Sequence, residues 1–161
     1  EQIKIAYGNK MLLKQRDIRI NGHSIECRIN AENPFNNFTP SPGFIKRILI
    51  PGGNGVRFDS FIYPDYQIQP FYDSMIGKLI VHAPTRKEAI RRMRVALEQL
   101  VIEGVETNIE YQYMIVHHPE FIKGTYDTGF IAKFHAVVME EYNARSIKWT
   151  KIKNWRISKN C

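Results

Sequence analysis

The sequence predicts an α+β domain, an antiparallel β-sheet with helices packed at its C-terminal side, and three observations carry that prediction. Residues 22–30, GHSIECRIN, alternate apolar and polar side chains with a period of two. Short apolar runs separated by Pro, Gly and Asn continue to about residue 83, as in strands joined by turns. Beyond it the apolar spacing changes to three and four, behind two sequences of capping-box form. With 161 residues the chain fits one domain, alone or with an appendage, and buries roughly 70% of its extended surface without help from a metal or disulfide.

At the N-terminus, Ile3, Ile5, Ala6 and Met11 are spaced like the apolar stripe of a short helix with no cap before it. Such a start fits a chain cut from something longer and equally a frayed terminus. In the strand that follows, His23, Ile25, Cys27 and Ile29 point to one face, and Ser24, Glu26, Arg28 and Asn30 to the other. Cys27 then reads as a small buried hydrophobe and His23 as a strand-edge residue. Pro34, Pro40, Pro42 and Gly43 make residues 33–43 a loop. Phe44 to Ile50 reads as a second strand, closed by Pro51-Gly52-Gly53-Asn54-Gly55. That glycine cluster is expected to be a hairpin turn. A phosphate cradle would have to open a helix, and Val56-Arg57-Phe58-Asp59 is strand-like instead. Arg57 falls on the polar side of this strand, near Asp59.

Residues 61–74 are rich in tyrosine and proline, but no lysine or arginine lies between Phe58 and Lys78. A base-stacking groove needs such cations, so core and edge packing is expected. Met75 to His82 is an apolar strand. Thr85 and Glu88 then form a capping box, and Ala89, Ile90, Met93, Ala96, Leu97, Leu100 and Val101 line one helix face, with Gly104 expected to end it. Arg86, Arg91, Arg92 and Arg94 occupy the other face, near Glu88 and Glu98, as a solvated surface or a subunit contact. A second capping box, Thr107 to Glu110, opens a helix that runs to about His117 and stops at His118-Pro119. Residues 129–142 suggest a last helix, and the tail with Trp149 and Trp155 has no clear period.

Composition narrows the function classes. The apolar fraction is 43% and the charged fraction 24%, which excludes a disordered or fibrous chain. No run approaches the ~18 apolar residues of a membrane span, and Glu1-Gln2 does not begin a signal peptide. The two cysteines, Cys27 and Cys161, form no disulfide framework and favour a reducing, cytoplasmic setting. Adjacent His117 and His118 do not share a helical face and have no third ligand at metal spacing, so no metal is expected. Of the net charge of +7, residues 135–161 carry +4 and the body only +3. A nearly balanced body with a basic tail is weak evidence for nucleic acid. A nucleic-acid-binding module using the basic helix and tail is the alternative reading. No nucleophile–base pair or phosphate loop stands out.

Five stretches come in order: GHSIECRINAE at 22–32, PSPGFI at 40–45, PGGNGVRFDS at 51–60, FYDSMIGKLI at 71–80 and GVETN at 104–108. Together they closely resemble the C-terminal domain of biotin carboxylase, an ATP-grasp enzyme. The resemblance covers residues 1–134 and leaves 135–161 as a basic C-terminal extension of unknown role. Ser74 and Gly77 in the fourth stretch are more similar to the separate biotin carboxylase subunit of bacterial acetyl-CoA carboxylase, an enzyme of fatty acid biosynthesis, than to pyruvate or propionyl-CoA carboxylases.

The resemblance implies an enzyme that uses ATP, Mg²⁺ and bicarbonate to carboxylate biotin on a biotin carboxyl carrier protein through carboxyphosphate. The metal ligands, phosphate flap and phosphate-binding lysines would belong to the N-terminal and ATP-grasp lobes. No cofactor would be bound wholly within this chain, which would be inactive by itself. Arg57, the arginine of GVR, is implied to face the ureido ring of biotin and stabilise its enolate-like anion. Thr128, in the stretch Tyr126 to Phe130, is implied to lie near the adenine. A homodimer is also implied, with His82 and Arg86 at its two-fold interface.

Overall fold

A computed structural model of the chain describes residues 1–142. The tail beyond them, with Trp149 and Trp155, lies outside the described residues. In chain order the elements are α1 (Gln2–Ala6), β1 (His23–Asn30), β2 (Glu32–Asn33), β3 (Thr39–Pro40), β4 (Gly43–Phe44), β5 (Arg47–Leu49), β6 (Val56–Ser60), β7 (Gln67–Ile68), β8 (Met75–Ala83), α2 (Arg86–Gln99), β9 (Val101–Glu103), α3 (Ile109–Ile115) and α4 (Pro119–Lys123). Residues 130–142 are helical and are labelled α5.

The expected α+β architecture is present. The main sheet has the order β1-β8-β6, and β8 pairs antiparallel with both neighbours. The alternation of β1 is realised: Cys27 and Ile29 are buried, while Ser24, Glu26 and Arg28 are exposed. Leu79 and Val81 of β8 bury on the same face, and α2 packs across β8 and β1. Ala89, Met93, Ala96 and Leu97 are the side chains through which α2 joins this core. Each large aliphatic side chain buried here contributes ~1.5–3 kcal/mol of hydrophobic stabilisation. A second, smaller cluster gathers Tyr111, Met114 and Val138 between α3 and α5.

Several local expectations change. Thr85 does cap α2, its Oγ1 accepting the Glu88 N–H at 3.3 Å, but the helix ends at Gln99 and not at Gly104. Leu100 turns extended, and Val101–Glu103 leaves as β9 to pair with Arg47–Leu49. Strand pairing overrides helical spacing here because Val101 and Ile102 are β-branched and fit a pleated ladder. Gly104 therefore ends a strand, with φ +110° and no room for a Cβ against the Phe44 carbonyl.

The second capping box does not form. Residue Asn108, not Thr107, precedes α3, and its side chain makes no cap bond because its amide is engaged with β1. His118-Pro119 stops α3 but also opens α4: His118 Nδ1 accepts the Glu120 N–H at 3.2 Å, with Pro119 at the first helical position. The glycine cluster at 51–55 is not a hairpin turn, since β5 pairs with β9 and β6 with β8. The run Phe44 to Ile50 is split between β4, paired with β7, and β5. At the break Ile45 is buried and its N–H donates to the Tyr66 carbonyl.

Among the aromatics of 61–74, Tyr66 packs against the core, but Phe71 and Tyr72 are 86% and 81% exposed, contrary to the packing expected for them. A short helix forms at Gln2–Ala6, but Met11 lies outside it, Ile3 is 87% exposed and the helix buries nothing. No helix among the described residues is long and apolar enough to cross a membrane.

Candidate functional site

The antiparallel register brings charged side chains from three distant segments onto the sheet face opposite the core. Glu26, Ile80 and Arg57 stand in one row across β1, β8 and β6, and Arg28, Lys78 and Asp59 in the next. Adjacent strands are ~4.8 Å apart, so the arginines of the two outer strands flank the Lys78–Ile80 strip at ~10 Å. The Arg57 Nη2 donates to Asp59 Oδ2 at 2.7 Å. Arg28 Nε approaches Glu26 Oε1 at 3.4 Å, a looser contact. Both pairs are largely exposed, so neither adds much to stability. Arg28, Lys78 and Arg57 outnumber Glu26 and Asp59 on this face. A fixed guanidinium beside such a surplus suits an oxyanion that develops during a reaction.

The remaining expected site residues lie elsewhere or are engaged within the chain. His82 is exposed at the end of β8, its Nε2 2.7 Å from the Asn21 carbonyl oxygen. Arg86 donates to the Ile122 carbonyl at 2.7 Å and to that of Phe121, and its guanidinium lies 5.2 Å from the centre of the Phe121 ring. It fastens α2 to the end of α4. Thr128 is exposed in the α4–α5 connection, not on the sheet. Beside it, the Asp127 carboxyl is held below the usual range by the Gly129 N–H and by Lys133.

The basic face of α2 is likewise engaged. Arg92 donates to the His82 carbonyl, and Arg94 to the Val116 carbonyl at 2.9 and 3.2 Å. With Arg86, three of the four arginines on that face bond backbone carbonyls, which is not the open basic groove that nucleic acid requires.

Among the described residues no group of three His, Cys, Asp or Glu could hold a metal. The carboxylates of the charged face, Glu26 and Asp59, each contact an arginine, so this donor set does not fit a nucleotide-bound Mg²⁺. Burial, with Glu26 adding a smaller effect, pushes the Cys27 thiol up to about 12, leaving it protonated and unsuited to nucleophilic chemistry.

Sequence reasoning missed two residues. Arg28 was placed on the polar face by its own strand's alternation, but only the pairing of β1 and β6 through β8 puts it beside Arg57. Asn108, 6% exposed, bonds β1 from the GVETN stretch, and no local signal distinguishes that from a helix start.

Comparison with known proteins agrees with this architecture. A family model described as the biotin carboxylase C-terminal domain matches residues 26–133. Biotin carboxylase 1 of Bacillus subtilis is 53% identical over 134 residues, 83% of this chain and 30% of that protein. The chloroplastic biotin carboxylase of Arabidopsis thaliana is 49% identical over 148 residues, 92% of this chain and 28% of that protein. Among solved structures, the biotin carboxylase domain dimer of Hydrogenobacter thermophilus 2-oxoglutarate carboxylase, in complex with MgADP, ADP and bicarbonate, superposes with a TM-score of 0.81 at 45% identity. That match covers 85% of this chain and 30% of the other. The chain thus spans about 30% of the length of the relatives it matches. Strand order, motif order and these matches converge, and the chain belongs to the biotin carboxylase C-terminal domain family.

Proposed function

We propose that this chain is the C-terminal lobe of a biotin carboxylase, an ATP-dependent carbon–nitrogen ligase. It would complete, with N-terminal and ATP-grasp lobes, the site where ATP and bicarbonate carboxylate biotin on a carrier protein. The observation that carries the reading is the cation-rich sheet face, to which β1, β6 and β8 contribute two arginines and a lysine. A ureido oxygen that gains negative charge as N1′ is deprotonated would be stabilised there by a guanidinium, which stays charged throughout. ATP and Mg²⁺ would be held by the other lobes and supply the activated phosphate chemistry.

The resemblance assigns the anion-stabilising role to Arg57. Its Nη2 donates to Asp59 at 2.7 Å, and the remaining N–H groups of the guanidinium are left to meet an oxyanion. Arg28, on the same face with the looser 3.4 Å contact to Glu26, is the competing candidate on geometric grounds. In the full-length enzyme, Arg57→Ala and Arg28→Ala are compared for bicarbonate fixation on biotin. The variant that removes the stabilising donor should lose ~10²–10³-fold in rate. Wild-type turnover in both would end the reading of this face.

The finer assignments belong to the same proposal. They are a subunit of acetyl-CoA carboxylase serving fatty acid biosynthesis in the cytoplasm, with a domain at 1–134 and a basic extension at 135–161. Thr128 would lie near the adenine, and a homodimer would form with His82 and Arg86 at its interface. The engaged arginines of α2 leave the nucleic-acid reading without support.

A further inference from the structure

β1 lies at the edge of the main sheet, so the backbone groups on its outer side have no strand partner. At Arg28–Asn30 a single side chain from 80 residues away takes the place of one. Asn108 Nδ2 donates to the Arg28 carbonyl at 3.1 Å, and Asn108 Oδ1 accepts the Asn30 N–H at 3.0 Å. The Asn108 N–H also donates to the Asn30 carbonyl at 3.2 Å, and Gln112 Nε2 reaches the Arg28 carbonyl at 3.4 Å. These contacts sit where the β1–β8 register shifts, between Ile29 and Asn30. Such an irregularity re-aims the side chains around it and needs outside support to hold one geometry. Asn108 is buried, so its amide contacts do not compete with bulk water.

We propose that Asn108 is a positioning residue for Arg28, clamping the edge of β1 so that the Arg28 guanidinium is presented on the carboxylation face in one orientation. The proposal rests on the reading of that face given above. Asn108 touches neither substrate nor cofactor in this role. It acts through the backbone of the residue it holds, and the GVETN stretch thereby contributes to the site from the open edge of the sheet.

The test uses the full-length enzyme with free biotin, bicarbonate and MgATP. Asn108→Ala should lower kcat and kcat/KM for biotin carboxylation together by ~10–100-fold, the loss expected from a misplacement of ~1 Å. ATP hydrolysis with bicarbonate but without biotin, which does not use the biotin-facing face, should stay at the wild-type rate. Asn108→Asp, which keeps the acceptor for Asn30 but loses the donor to Arg28, should show the same split and serves if the alanine variant does not fold. Thr85→Ala weakens α2 without touching the face and is the control for general destabilisation. In an Arg28→Ala background, Asn108→Ala should add no further loss. Equal losses in both reactions, a loss matched by Thr85→Ala, or additive losses in the double variant would overturn the positioning role. A wild-type rate in Arg28→Ala alone would overturn the assignment of Arg28 and this inference with it. That outcome is recognisable because it appears with Asn108 intact.

Discussion

Replacing Gly104 by alanine should destabilise the chain far more than the same change at other glycines, by an amount that two control sites divide into parts. Gly104 has φ +110°, and a Cβ there would overlap the Phe44 carbonyl oxygen and crowd the Lys46 nitrogen at 2.9 Å. Gly53 has a similar φ of +118° but nothing within 4 Å of a Cβ. Gly52 has neither the conformation nor a neighbour. Gly52→Ala should therefore lie within ~0.5 kcal/mol of wild type. Gly53→Ala carries backbone strain alone, ~1–2 kcal/mol. Gly104→Ala adds the overlap, which is relieved only by separating β5 from β9 and losing the Lys46 N–H to Glu103 carbonyl bond at 2.7 Å. Each such bond is worth ~1 kcal/mol, and parting β5 from β9 also loses about one bond of their ladder, which brings the total to ~3–4 kcal/mol. With a urea slope of ~2 kcal/mol/M, the denaturation midpoint followed by far-UV circular dichroism should fall ~1.5–2 M for Gly104→Ala and ~0.5–1 M for Gly53→Ala. If the two variants agree to within ~1 kcal/mol, the close approach of β4 to Gly104 is not what the structure implies.

Two more effects are accessible with the same assay. Cys27 ionises near 9 in the unfolded chain but only at about 12 when folded, so the unfolded state releases its proton first. Its contribution is intact below pH ~9 and declines above it by up to ~1.4 kcal/mol per pH unit, and Cys27→Ala should flatten that alkaline decline relative to wild type. An unchanged slope would show that the thiol is accessible. Arg94→Met keeps an apolar stem but removes both donors to the Val116 carbonyl in a residue 1% exposed. The orphaned acceptor should cost ~1–3 kcal/mol, whereas a loss below ~0.5 kcal/mol would mean that the carbonyl finds water.

What the sequence revealed depended on how far each feature reached along the chain. The strand at 23–30 and the helix at 86–99 were legible because each is defined by its own periodicity. The helix boundary at Leu100 was not, because Val101–Glu103 is drawn off by a strand some 55 residues earlier. The glycine-rich turn at 51–55 looks like a hairpin locally and becomes a connection between sheets only when β6 finds β8. Asn108 in the capping-box sequence was available to a helix terminus, and its amide went instead to β1. The candidate face was half legible. Alternation put Arg57 and Arg28 each on the polar side of its own strand, but their proximity exists only through the shared partner β8.

That shared partner also sets the order in which the molecule can assemble. His23 meets Ala83 and Asn30 meets Met75, and β6 likewise has β8 as its sheet partner. The middle strand of the sheet is thus the last of the three to leave the ribosome. During synthesis at ~5–20 residues per second, β1 waits roughly 3–10 s with both edges open. Until then it is an alternating segment able to pair with any strand that reaches it first. A nascent chain halted before residue 75 holds Arg28 and Arg57 with no surface to share, and one released after residue 83 can close both ladders in a single docking event. Arrival of β8 is therefore the step at which misassembly can be prevented, and a chaperone that shields His23–Asn30 would be needed only up to that point.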